Sequence, residues 1–126
     1  MTTIVVGYVA KREGEAALTA ALDEARLRGA RVVLVHATRA DEPDEAVAGA
    51  REVLAGSGVE HEVRVSTGAF DPAEDLLAVA EEVSADLIVI GLRRRTPVGK
   101  LLLGSNAQRI LLDAHAPVLA VKIDAV

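Results

Sequence analysis

Five short aliphatic runs recur along the chain: "TIVVGYV" (3–9), "RVVLVHA" (31–37), "EHEVRV" (60–65), "DLIVIGL" (86–92) and "PVLAVKI" (117–123). They are rich in β-branched residues and bounded by turn signals, so they read as strands. Continuous Val/Ile/Leu runs are what a parallel sheet buried on both faces requires. The third run alternates and carries charge, which marks it as an edge.

Helical patterns lie between the runs. In "EGEAALTAALDEARLRG" (13–29), Ala17, Leu18, Ala21, Leu22, Ala25 and Leu27 fall mostly along one face, and Gly29 is a C-terminal stop. "DEPDEAVAGAREVLAGSG" (41–58) ends in a Gly-Ser-Gly turn. "DPAEDLLAVAEEVSA" (71–85) opens with Asp71 as N-cap, Pro72 in the first turn and Glu74 three residues on, a capping box. The last helix, roughly Ser105 to Ala114, carries Ile110, Leu111 and Leu112 and stops before Pro117.

The order is β-α-β-α-β-α-β-α-β with short connections. Right-handed crossovers turn it into an α/β fold, an open five-stranded parallel sheet with helices on both faces. Such sheets bind ligands beyond the carboxyl ends of the strands, where the strand order reverses. With order 3-2-1-4-5 the crevice opens between strands one and four, at Tyr8-Val9 and Ile90-Gly91.

Composition closes off several classes of function. The chain has 126 residues, one domain by size, with one Phe, one Tyr, no Trp and a formal net charge of −5. Neither the basic surface nor the stacking aromatics of a nucleic-acid platform are there. With no cysteine there is no disulfide framework, thiolate metal site or cysteine nucleophile. No run approaches a membrane span and the N-terminus reads as a strand, so the expectation is a cytoplasmic protein without a signal peptide.

The stretch "GLRRRTPVGKLLLGSN", Gly91 to Asn106, begins at the crevice and combines three glycines with four cations ahead of a helix. It is not a Walker A loop: Gly91 to Gly99 is too long, and Leu101 follows Lys100. The dinucleotide fingerprint fails as well, since Gly7 is followed by "YVAKREG". A receiver domain needs clustered acids after strand one and an Asp after strand three, where "YVAK" and "VSTGAF" stand.

One spacing does match: Gly91, two residues, position 94, nine residues, then Gly104-Ser105. With it, and with "FDPAEDLL" (70–77) and "HAPVLAVK" (115–122), the chain resembles the universal stress protein family over residues 3–123. Nucleotide-binding members of that family carry G-x2-G-x9-G-[ST] after strand four. The resemblance implies a single domain over 1–126 with the adenine nucleotide alpha hydrolase-like fold. It also implies a site for ATP or AMP, with Mg²⁺ accompanying ATP. Carried over to this chain, the site takes in Tyr8, Val9, Ala37, Ile90, Gly91, Arg93, Arg94, Gly104, Ser105 and Asn106.

Two positions depart from the family pattern. Arg94 stands where the second glycine belongs; Arg93, Arg94 and Arg95 either close over a triphosphate or form a solvated basic loop. Val9 stands where binders usually have an Asp that reads the adenine amino group, and it cannot accept a hydrogen bond. Ser105 reads either as a phosphate ligand at a helix N-terminus or as an ordinary N-cap. Tyr8 reads as core or rim in preference to a base-stacking ring.

The fifth strand is apolar and lies at a sheet edge, which is a liability unless it is paired. Family members commonly dimerise through it, so the resemblance implies a homodimer contact at Val118, Leu119, Ala120 and Val121. His36, His61 and His115 fall on separate elements, and no catalytic constellation is visible; any ATP hydrolysis is expected to be slow. Acidic residues including Glu13 and Glu15 are assigned to solvated helix faces. The resulting expectation is a regulatory module that binds an adenine nucleotide. The alternative is a member of the same family that works by dimerisation and protein association alone.

Overall fold

A computed structural model describes residues 1–38, 44–66, 71–93 and 103–123. The elements are β1 (Thr3–Gly7), α1 (Arg12–Arg28), β2 (Arg31–Ala37), a 3-10 turn (Asp44–Val47), α2 (Ala48–Ala55), β3 (His61–Ser66), α3 (Pro72–Glu82), β4 (Leu87–Arg93), α4 (Ser105–Asp113) and β5 (Val118–Ile123). All strand pairs are parallel, in the order β3-β2-β1-β4-β5. The expected topology is the observed one, with β3 at an edge.

The strands are apolar at successive positions because both faces are covered. Side chains alternate across a strand, so Ile4, Val6, Val32, Leu34 and Val89 pack toward α1 and α2. Val5, Val33, Ile88 and Ile90 pack toward α3 and α4. Burying each such side chain contributes about 1.5–3 kcal/mol before entropy is counted.

The helix faces refine the sequence reading. Ala17, Leu18, Ala21, Leu22 and Ala25 are buried as expected, but Leu27 is 82% exposed. It lies two residues beyond Ala25, about 200° around the helix, on the opposite side from the stripe. Gly29 ends α1 at φ 63°, donating its N–H to the carbonyl of Ala25. The segment expected to be helical from 41 to 58 starts as the 3-10 turn and becomes α-helical only at Ala48, ending before Gly56; its residues 41–43 lie outside the described ones. In α4, Ile110 alone of the three expected apolar residues is buried, while Leu112 is 82% exposed.

Asp71 caps α3 as expected, its Oδ1 accepting from the N–H of Glu74 at 3.1 Å. The reciprocal half of the capping box is replaced. The Glu74 carboxylate pairs with Arg109 of α4, which ties the first turn of α3 to the middle of α4.

Candidate functional site

The architecture opens a crevice between β1 and β4. Their pairing runs only from Ile4↔Leu87 to Val6↔Val89. β4 then continues against β5 as far as Arg93↔Ile123. β1 ends at Gly7 rather than at Val9: Tyr8 still donates its N–H to the carbonyl of Val35 at 2.9 Å, and then the chain turns, Lys11 bonding back to the carbonyl of Val9 at 2.8 Å.

The first turn of α1 enters the gap. Two glycines permit this. A Cβ on Gly14 would lie 1.8 Å from the carbonyl oxygen of Val9, and one on Gly91 would lie 1.9 Å from that of Glu13. Backbone meets backbone at both points, so any side chain there forces the elements apart. Gly91 is therefore required for helix–strand packing, quite apart from any ligand.

Above this junction lies a cavity of about 410 Å³, within the range of small-molecule sites. Its floor is apolar, with Gly7, Val35, Leu76 and Ile90; Arg93, Gly104, Ser105 and Asn106 form a polar end. Of the ten residues expected at the site, Tyr8, Val9, Ala37, Ile90, Gly91, Arg93, Gly104, Ser105 and Asn106 all line this one cavity. The tenth, Arg94, lies outside the described residues, as does Arg95.

At the polar end the N-cap of α4 is Gly104, not Ser105. Glycine has no side chain to cap with, and the first backbone bond of the helix runs from the N–H of Gln108 to the carbonyl of Gly104. The amides of Ser105, Asn106 and Ala107 are left without a partner among the described residues. Together with the helix dipole they form an anion-attracting end. The hydroxyl of Ser105, free of the capping duty the sequence allowed it, is exposed beside them.

Tyr8 is buried and meets the His36 ring edge-on, with centroids 6.1 Å apart. Nδ1 of His36 donates to the carbonyl of Tyr8 at 2.9 Å. The histidine is therefore a structural brace beneath the cavity, and Tyr8 is core and wall at once. Burial, and secondarily the Glu15 carboxylate, push the Tyr8 phenol above its ordinary pKa of 10.0. Val9 is 41% exposed at the rim and offers no acceptor there.

Glu13 is the residue the sequence reading missed. Assigned to a solvated face, it instead lines the cavity, with its Oε2 buried and unpartnered among the described residues. Helical periodicity carries no signal for this, because the first turn of α1 extends beyond the end of β1 and packs against β4 at Gly91. Gly14 and Gly91 were the visible hint. Among the described residues no group of His, Asp or Glu could hold a metal ion.

Comparison with known proteins agrees with this architecture. The family model for the universal stress protein family matches residues 38–122. A universal stress protein of Mycolicibacterium smegmatis is 45% identical, over 94% of this chain and 96% of its own length. The universal stress protein of Archaeoglobus fulgidus in complex with dAMP superposes with a TM-score of 0.69 at 30% identity, covering 97% of this chain and 98% of that one. A universal stress protein in complex with cAMP gives a TM-score of 0.79 at 28% identity, over 96% of each chain. The sheet order, the glycine spacing and these matches together establish that the chain belongs to the universal stress protein family.

Proposed function

We propose that this chain is a cytoplasmic stress-response module of one domain that binds an adenine nucleotide, ATP or AMP, in the crevice between β1 and β4. The observation that carries the reading is the cavity's polarity. An apolar floor shares the cavity with Arg93 and an N-terminus of α4 that no side chain caps, at Gly104–Asn106. That arrangement suits a flat base at one end and phosphate at the other. The dAMP and cAMP complexes of the two relatives support the same ligand class. Phosphate is held by the amides of Ser105 and Asn106 and by Arg93 and Arg94, with Mg²⁺ accompanying ATP. We further propose a homodimer formed through β5.

Isothermal titration of ATP with Mg²⁺ into nucleotide-free protein tests the reading. Dissociation constants near micromolar support it. Arg94→Ala then weakens binding about tenfold or more, as loss of a charge-assisted bond does, whereas Arg94→Gly restores the family's glycine and preserves binding. A second reading has its own observation, the valine at the rim where the family resemblance implies an aspartate. Absence of heat at millimolar nucleotide, with an unchanged melting temperature, favours that reading: a site without its ligand, in a protein that works through protein partners.

A further inference from the structure

Glu13 is the acidic side chain among the described residues that line the cavity. Among the described residues no side chain pairs with its Oε2. That oxygen is buried without a hydrogen-bond donor among the described residues, and a buried carboxylate oxygen is costly until a donor arrives. The fold holds it there firmly, because the backbone of Glu13 lies directly against Gly91. A carboxylate so placed is suited to a ligand that brings hydrogen-bond donors into the cavity.

Position identifies which donors. Along β4, Ile90 belongs to the apolar floor and Arg93 to the polar end, and Glu13 abuts Gly91 between them. Base, sugar and phosphate follow one another in any nucleotide, so the middle of the cavity receives the sugar. Phosphate oxygens carry the same charge as Glu13 and are repelled by it. The hydroxyls of a ribose are the donors available at that point. The last torsion of a glutamate is broad and nearly two-fold, so either carboxylate oxygen can meet them.

We infer that Glu13 selects ribonucleotides, its carboxylate accepting hydrogen bonds from the 2′- and 3′-hydroxyls of the bound sugar. The inference rests on the nucleotide reading above, and it gives the site an acceptor from helix α1 where Val9 supplies none.

The test is a set of titrations of ATP, 2′-deoxy-ATP and ITP into the wild type, Glu13→Ala and Glu13→Gln. The wild type binds ATP about tenfold or more tighter than 2′-deoxy-ATP, as a hydrogen bond to a charged acceptor gives. Glu13→Ala brings that ratio close to one by weakening ATP alone. Glu13→Gln, which keeps the shape and a neutral acceptor, falls between. A purely structural role is recognised by equal weakening of all three nucleotides with the ratio intact, and it overturns the inference. So does a change in the ATP-to-ITP ratio in place of the deoxy ratio, which would mean Glu13 reads the base. If the wild type binds ATP and 2′-deoxy-ATP equally, the ribose assignment fails while the nucleotide reading stands. If it binds no nucleotide, both fall.

Discussion

Gly91 and Gly104 belong to one loop pattern but answer to different constraints. A Cβ at Gly91 would collide with the backbone of Glu13, whereas at Gly104 it meets nothing within 4 Å. Gly91→Ala is therefore expected to cost about 2–3 kcal/mol in urea unfolding, and Gly104→Ala less than about 1 kcal/mol. Similar losses for both would contradict this division. Tyr8 gives a second residue-level test. Its phenol pKa is raised in the folded state by burial and by Glu15, so the unfolded chain ionises first as pH rises. The stabilisation it contributes is complete below pH about 10 and is lost as pH climbs through the folded pKa. Melting temperatures across that range should fall less steeply in Tyr8→Phe. Because the chain has no other tyrosine, phenolate absorbance reports this group directly.

Element boundaries were less legible than element types. The strand that reads as 3–9 stops at Gly7 because α1 packs back over Val9 through Gly14, a contact no local pattern encodes. The capping box at Asp71 was readable, yet only its forward half formed, since Arg109 from α4 captures Glu74. Arg109 also approaches Asp71 at 3.4 Å and Asp113 at 3.7 Å. All these partners are exposed, and exposed pairs contribute little. Asp71→Ala is thus expected to destabilise by about 1 kcal/mol through the lost cap, and Arg109→Ala by less. A larger loss for Arg109→Ala in thermal melts would show that the tie between helices outweighs the cap.

At the scale of the molecule, the sheet ends in one charged edge and one apolar one. β3 carries His61, Glu62 and Arg64, and the two latter form an ion pair at 2.9 Å. β5 leaves Val118, Leu119, Ala120 and Val121 only half-buried. An apolar edge of this kind favours pairing with a second strand, which is the physical ground for the proposed homodimer. Light scattering at micromolar concentration should give twice the chain mass; a monomer there removes the proposal. The core itself, with Ile4, Val5, Val6, Val33, Ile88 and Val89 fully enclosed, depends on both helical layers at once.

The sequence by itself determined the topology. Strands apolar at successive positions must be covered on both faces, and only alternating helices with right-handed crossovers achieve that with connections this short. It also determined the glycine spacing of the loop and hence the family. Tertiary structure decided what those residues are for. Val9, Glu13, Gly14 and Gly91 come together only because strand order places β1 beside β4 and lets them part beyond Val89. Periodicity reports which side of an element is apolar. It is silent where one element enters the gap between two parting strands, and there the fold turned a carboxylate expected in solvent into the wall of a cavity.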